Sequence, residues 1–372
     1  MKILHLSAAE KWGGGENHLE NLCYELKNEI SNTVFCVAEG MLHARLKKNG
    51  TRIIPAPLAN KMDPRFVLKL ARTCKREKFD LLHIHDSTAL TLAVMADHFG
   101  ELPPFIFSKK TSFPIRPRRQ TLFKYNYPKV KKILCVSEAT RRISSENLIG
   151  QERLEVIYHG TRLDNKRQKS PFWIRDKYEI PEDAKLIGNI GNHIEAKDLE
   201  TFIRTAHHLV NLKQQKDFYF IQIGSYSRRT GALLAMVEEF QLQKHVIFTD
   251  YIPEASALIP QFDVMLLTSE NEGIPQVIYE SFYYNVPVIS TEVGGIAEVI
   301  EDEVNGFLCK PYDHTGIGEK LLFLIANPQV IPTFAKISRE KLLQHFTSNI
   351  MAQKTLKEYK TAINGRLYRG TE

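Results

Sequence analysis

Short apolar runs rich in strand-forming residues alternate along the chain with segments of helical periodicity. The first series is ILHL at 3–6, VFCVA at 34–38, RIIPA at 52–56, LLHIH at 81–85, FIF at 105–107, ILCV at 133–136 and EVIY at 155–158. Strands this short, apolar on both faces and joined by helical crossovers, predict a parallel sheet covered by helices on both sides. A second series follows: KLIGNI at 185–190, FYFIQI at 218–223, VIF at 246–248, VMLL at 264–267, VPVIS at 286–290 and GFLC at 306–309. Between them, 162–183 is polar, charged and without strand signal, and reads as an interdomain linker. The fold class is therefore α/β, with two Rossmann-like, doubly wound parallel-sheet domains at 1–165 and 184–336. Two such domains facing each other place the ligand-binding carboxyl ends of both sheets along one cleft. The last stretch, roughly 337–363 of a terminal segment 337–372, reads as one amphipathic helix. Leu342, Leu343, Phe346, Ile350, Met351, Leu356 and Tyr359 are available for its buried side.

Length agrees with two cores, because 372 residues exceed what one hydrophobic core holds efficiently. Apolar residues at 43% and charged residues at 25% are those of a globular protein, so no long disordered region is expected. The start MKILHLSAAE lacks the basic segment, apolar run and small-residue site of a secretory signal, and no apolar stretch reaches the roughly 20 residues of a membrane span. Five scattered cysteines without C-x-x-C spacing argue against a disulfide framework or structural zinc. These features together predict a cytoplasmic protein, with any membrane contact peripheral. A net charge of +7 points to an anionic partner without choosing among phosphorylated ligands, acidic lipid and nucleic acid.

The strongest chemical signal is Glu270-Asn271-Glu272-Gly273-Ile274-Pro275-Gln276-Val277-Ile278-Tyr279-Glu280, which follows a strand and runs into a helix. The spacing predicts Glu272 at the helix entrance and Glu280 about two turns along, near the far end of a short helix. Amides at Gly273, Ile274, Gln276 and Val277 are then donors at a helix amino end, where a diphosphate is well placed. Either glutamate alone reads equally as a first-turn residue favoured by the helix dipole or as a solvated charge.

The same window continues into Asn285-Val286-Pro287-Val288-Ile289-Ser290-Thr291-Glu292-Val293-Gly294-Gly295-Ile296-Ala297-Glu298 and then Asn305-Gly306-Phe307-Leu308. With these elements the chain resembles glycosyltransferase family 4, whose members are retaining enzymes of the GT-B architecture. The resemblance covers nearly the whole chain and implies transfer of a sugar from a nucleotide diphosphate sugar, without a metal or other cofactor. It implies that Glu272 contacts hydroxyls of the transferred sugar and Glu280 the nucleotide ribose, with Ile252 also in the donor site. It further implies that the terminal helix returns to the N-terminal domain. The family's diphosphate clamp is a glycine, an arginine and a lysine five positions on. Here Gly191 and Lys197 are kept, but Asn192 stands where the arginine is expected, and an amide cannot replace a guanidinium. His193, Arg228 and Arg229 are the nearby candidates to compensate.

In the first half, Trp12-Gly13-Gly14-Gly15-Glu16 follows the first strand and precedes a helix, so Gly14 and Gly15 let backbone amides approach an anion. A tight turn is the plain alternative; the resemblance places such a loop beside the diphosphate and the acceptor. His83 and His85 share one face of their strand by alternation. The resemblance places His85 against the transferred sugar, making His85, Glu272 and Lys197 the candidate catalytic set. No carboxylate stands out as a nucleophile of the kind retaining hydrolases use. Front-face departure, with the leaving phosphate accepting the acceptor's proton, suits these residues better. No D-x-D motif appears where a metal would be needed.

The segment 109–132 contains nine Lys or Arg, no acidic residue, and Phe113, Phe123, Tyr125 and Tyr127. Lys109, Lys110, Arg116, Arg118, Arg119 and Lys124 therefore form a candidate surface for anionic lipid or a phosphorylated acceptor. A solvated loop and single-stranded nucleic acid, with bases stacked on the rings, are the alternatives. The function expected is assembly of lipopolysaccharide, capsule or another surface glycan on a saccharide or lipid-linked acceptor. A nucleotide-sugar epimerase and a non-catalytic nucleotide-sugar binder are the competing classes. A dehydrogenase is disfavoured, since no dinucleotide fingerprint follows any strand.

Overall fold

The computed structural model describes residues 1–167 and 169–364, so the last eight residues of the expected 337–372 segment lie outside the described residues. The described residues form two compact units, 1–161 with 347–364 and 162–346. All thirteen apolar runs are strands, with ends moved by a few residues.

The first unit holds β1 (Lys2–Leu6), β2 (Ser31–Val37), β3 (Arg52–Ala56), β4 (Leu81–Ile84), β5 (Phe105–Lys109), β6 (Val130–Cys135) and β7 (Leu154–Val156). They form one parallel sheet in the order β3-β2-β1-β4-β5-β6-β7, which reverses direction at β1 and β4. Alternation sorts the core. Leu4, Leu6, Leu82 and Ile84 face a layer containing Phe66, Leu70 and Leu90, whereas Ile3, Leu81 and Ile106 face Leu22, Met351 and Tyr359. That second layer is built by the Gly14–Glu25 helix packed on the Ser348–Asn364 helix.

The second unit holds β8 (Lys185–Ile190), β9 (Phe218–Ile223), β10 (Val246–Thr249), β11 (Val264–Leu267), β12 (Val288–Thr291) and β13 (Phe307–Cys309). Their order is β10-β9-β8-β11-β12-β13, again parallel, with a switch point at β8 and β11. The segment expected as a linker belongs to this unit from Arg162 onward and carries short helical turns at Asp164–Arg167 and Ile174–Lys177.

The terminal helix is two helices, not one. Ile331–His345 packs on the Gln276–Tyr284 helix in the second unit, where Arg339 Nη1 donates to the Tyr283 carbonyl at 2.9 Å and Phe346 stacks on Tyr279. The return to the first unit begins at Thr347, ten residues after the expected 337, where Thr347 pairs with Thr161 and Ser348 N donates to Thr161 O at 3.0 Å. Leu342 and Phe346 are accordingly buried in one unit and Met351, Leu356 and Tyr359 in the other, while Leu343 is exposed. No single helix among the described residues is long and apolar enough to cross a membrane.

One packing constraint bears directly on the second unit. A Cβ on Gly224, just after β9, would overlap the carbonyl oxygen of Gly191, just after β8. Backbone cannot yield as a side-chain tip does, so Gly224→Ala is expected to cost at least the roughly 1–3 kcal/mol of an overpacked core site. The lowered midpoint should appear in thermal unfolding; an unchanged midpoint would mean the two loops are free to separate.

Candidate functional site

In the second unit, the end of β11 delivers Thr268 and Ser269 into the loop carrying Glu272. Lys197 closes a short 3-10 turn, Glu195–Lys197, and its ammonium forms an ion pair with Glu272 Oε1. Ser269 Oγ donates to the same carboxylate oxygen at 2.9 Å. Gly191 gives the lysine its path, because a Cβ there would lie 3.1 Å from Lys197 Cε. The helix after the motif starts at Gln276 with Pro275 as its N-cap. Gln276 and Val277 are thus first-turn amides with no partner inside the helix. Gly273 turns its carbonyl to the Gly295 amide at 2.8 Å, and Ile274 is buried.

Glu280 lies one turn into a nine-residue helix, not two turns along it, and so shares a face with Gln276. Its Oε1 is 2.5 Å from Lys166 Nζ, an ion pair with side-chain exposures of 12% and 7%. Lys166 is further held by its own carbonyl, which accepts from Tyr284 Oη, and its Nζ lies 3.5 Å from Ser256 Oγ. Sequence reasoning missed Lys166, which sits in a polar segment offering no signal of burial. It also missed the side chains of Asn271 and Gln276. Asn271 Oδ1 and both polar atoms of the Gln276 amide are buried without a hydrogen-bond partner, flanking Glu272 in the chain. Buried polar atoms are normally paired, so these three, in the loop and at the start of the helix, are candidates to pair with water or a polar ligand. Ile252 is half-buried in the loop after β10.

Two of the three neighbours that could replace the arginine missing at Asn192 are engaged elsewhere. Asn192 Oδ1 accepts from Ser225 N at 3.1 Å and ties the two loops together. His193 is buried, with Nε2 2.5 Å from Gln222 Oε1 and Nδ1 2.9 Å from Thr230 Oγ1, and burial lowers its pKa. Arg229 pairs with Glu200 at 3.2 Å. Lys197 therefore carries the charge of this loop, with Arg228 the one compensating candidate not shown engaged elsewhere.

In the first unit, Gly14 and Gly15 open the first helix, and Gly13 is its extended N-cap. His85 follows β4 and is 4% exposed. Its Nε2 lies 3.1 Å from His5 Nδ1 and its Nδ1 3.2 Å from Lys110 Nζ, so neither ring nitrogen is unoccupied. Next to it Asp86 caps the following helix and accepts from the Ala8 amide at 2.7 Å. His83 bonds Tyr359 Oη at 2.6 Å and Ser108 Oγ at 2.8 Å. His5, His83 and His85 bring ring nitrogens within 4.8 Å of one another. Since His5 and His83 each have both nitrogens committed to protein groups, the trio is a hydrogen-bond junction, and a metal would have to displace those partners. Burial holds all three histidines neutral, with His5 lowered to about 4.

The basic surface is smaller than composition predicts. Lys109 is buried, and its ammonium is satisfied by Thr111 O and Oγ1 and Phe113 O; burial pulls its pKa down to about 8. Lys110 points to His85 and the glycine loop, donating to Gly15 O at 2.9 Å. Lys124 donates to Ser87 and Thr91 at 2.7–3.0 Å. Arg116, Arg118 and Arg119 do face solvent, together with Phe113 and Phe123.

Two family matches divide the chain as the units do. Residues 12–165 match the family described as Glycosyltransferase Family 4, and residues 173–342 match Glycosyl transferases group 1. The chain is 23% identical to an N-acetyl-alpha-D-glucosaminyl L-malate synthase of Bacillus anthracis over 79% of its own length and 76% of that protein's. It is 26% identical to the O-antigen biosynthesis glycosyltransferase WclY of Escherichia coli, over 54% of this chain and 53% of that one. Among solved structures, Anabaena HepE in complex with UDP and glucose superimposes with a TM-score of 0.85 at 19% identity, covering 97% of this chain and 100% of the other, which shows a common fold.

Proposed function

Because the chain belongs to glycosyltransferase family 4 and is a glycosyltransferase, we propose that it moves a sugar, with retention, from a nucleoside diphosphate sugar onto a saccharide or lipid-linked acceptor. The observation that carries this reading is the loop of the second unit. It sets Glu272, the unpartnered polar atoms of Asn271 and Gln276, and a helix amino end within a few residues of one another, and Lys197 reaches Glu272 from another loop of the same unit. Lys197 and the amides of Gln276 and Val277 suit a diphosphate, and Glu272 and the Gln276 amide suit sugar hydroxyls. Glu280 is assigned to the ribose, sharing its carboxylate with Lys166. The first unit is assigned to the acceptor.

In the reaction the bond from the anomeric carbon to the β-phosphate oxygen breaks and one to an acceptor hydroxyl forms on the same face. The hydroxyl proton passes to the departing phosphate. Lys197 offsets the charge that develops on that phosphate, so no metal is assigned a part. Surface glycan assembly is the process proposed, a reading supported by the O-antigen name of the Escherichia coli relative. The exposed Arg116, Arg118 and Arg119 with Phe113 and Phe123 are proposed to hold the protein at the inner membrane face.

The test is a panel of UDP-, GDP- and ADP-sugars, following nucleoside diphosphate release with and without EDTA. One donor is expected to be consumed at the same rate in both conditions, and Glu272→Ala to abolish release. A donor consumed only with added divalent metal would overturn the metal-free scheme, and no release from any donor would overturn the transferase assignment of this loop.

A further inference from the structure

We propose that Lys110 is a substrate-binding cation of the first unit, and that Asn32, His5 and His85 form a one-directional hydrogen-bond chain that positions it for a phosphate oxygen. The proposal rests on the transferase reading only in taking the substrate to carry phosphate.

The direction of the chain is fixed at both ends. Asn32 Nδ2 donates to the Cys23 carbonyl at 3.3 Å, which can only accept, so Oδ1 is the atom that faces His5 Nε2 at 3.0 Å. His5 must therefore carry its proton on Nε2, leaving the Nδ1 lone pair toward His85 Nε2. His85 in turn must donate from Nε2, and its Nδ1 lone pair faces Lys110 Nζ, a group that can only donate. Lysine at one end and a backbone carbonyl at the other demand the same direction, and both intervening imidazoles meet it. Burial keeps both imidazoles neutral, which the chain requires.

The site is set for an anion. Lys110 Nζ uses one N–H on His85 Nδ1 and one on Gly15 O, leaving a third. Gly15 offers no side chain, and a Cβ there would stand 3.6 Å from Lys110 Nζ. The Glu16 carboxylate already accepts from the backbone amides of Gly13 and of Glu16 itself and is attracted to Lys110. It stands where a phosphate oxygen would find the same donors. Burial brings Lys110 down to about 8, while Glu16 and Asp86 act to keep it charged. His85 thus acts through Lys110, as a positioning residue.

The experiment is a nitrogen-15 spectrum of the full chain labelled in histidine, titrated with inorganic pyrophosphate. His5 and His85 are expected to carry their protons on Nε2. Pyrophosphate should shift the His85 Nδ1 signal in the wild type and in Lys197→Met, which lacks the cation of the other unit, but not in Lys110→Met. With the donor found in the panel, Lys110→Met should lose about 100-fold in turnover. Asn32→Leu should lose roughly tenfold and mix the His5 tautomers. A proton on Nδ1 of His85 in the wild type, or a pyrophosphate response that survives in Lys110→Met, overturns the proposal. If no donor in the panel reacts, the transferase reading falls, and the histidine signals still decide this one.

Discussion

Lys197→Met is expected to lower sugar transfer by about 100- to 1,000-fold, the loss that follows removal of one preorganised donor worth about 2.7–4 kcal/mol in a reaction that develops charge on oxygen. Among the described residues Lys197 is the cation in contact with Glu272, and Asn192 cannot stand in for it because an amide carries no charge. Removing the ammonium also frees Glu272, leaving it only the Ser269 hydroxyl among its bonded side chains. A methionine keeps the aliphatic stem over Gly191 but leaves the mostly buried Glu272 carboxylate without its cation, so some loss of stability should accompany the loss of turnover, which is read on folded protein. Steady-state rates with circular dichroism on the same sample measure both. A variant as active as the wild type would remove Lys197 from the chemistry.

Glu280→Leu is expected to destabilise the protein by about 3–5 kcal/mol, because it strands a lysine that is almost fully enclosed. The partner change should largely reverse this: in Lys166→Met with Glu280→Leu, two apolar side chains replace two charges, and stability should return close to that of the wild type. Nucleotide binding should not return, since the carboxylate assigned to the ribose is still absent. Urea denaturation and calorimetric binding of UDP on the four proteins of the cycle separate the structural part of the pair from its part in recognition. Recovery of UDP binding in the double variant would show that Glu280 serves the fold alone.

Much of this was legible in the chain because strand-length apolar runs leave little room for another architecture. VFCVA, FIF and VMLL have both faces apolar, and a sheet covered on two sides satisfies them. The motif from Glu270 to Glu280 was legible too, since a proline followed by helix-compatible residues fixes where the helix begins. Other features gave no local signal. The apolar spacing of Leu342, Phe346, Ile350 and Met351 stays in helical phase across the break at Phe346 and Thr347, so periodicity reads one helix where a crossing between units interrupts two. Lys109 and Lys110 count as surface charge by composition, yet each ammonium is drawn inward by backbone carbonyls, those of Thr111 and Phe113 for Lys109 and that of Gly15 for Lys110, contacts that composition does not register. Lys166 shows no burial signal at all, because its partner is 114 positions away. His5 is accessible to sequence reasoning, since alternation sets it on the same face as Ile3 in a buried strand, where a polar ring needs a partner.

The central claim is that a sugar nucleotide binds at the amino end of the Gln276–Tyr284 helix beside Lys197 and Glu272. A backbone amide spectrum of the nitrogen-15-labelled protein, titrated with each sugar nucleotide in turn, tests it most directly. The account predicts that the donor that is consumed shifts the amides of Gly273, Ile274, Gln276 and Val277 in the wild type and loses that effect in Lys197→Met. A donor that is turned over while those four signals stay in place would contradict it.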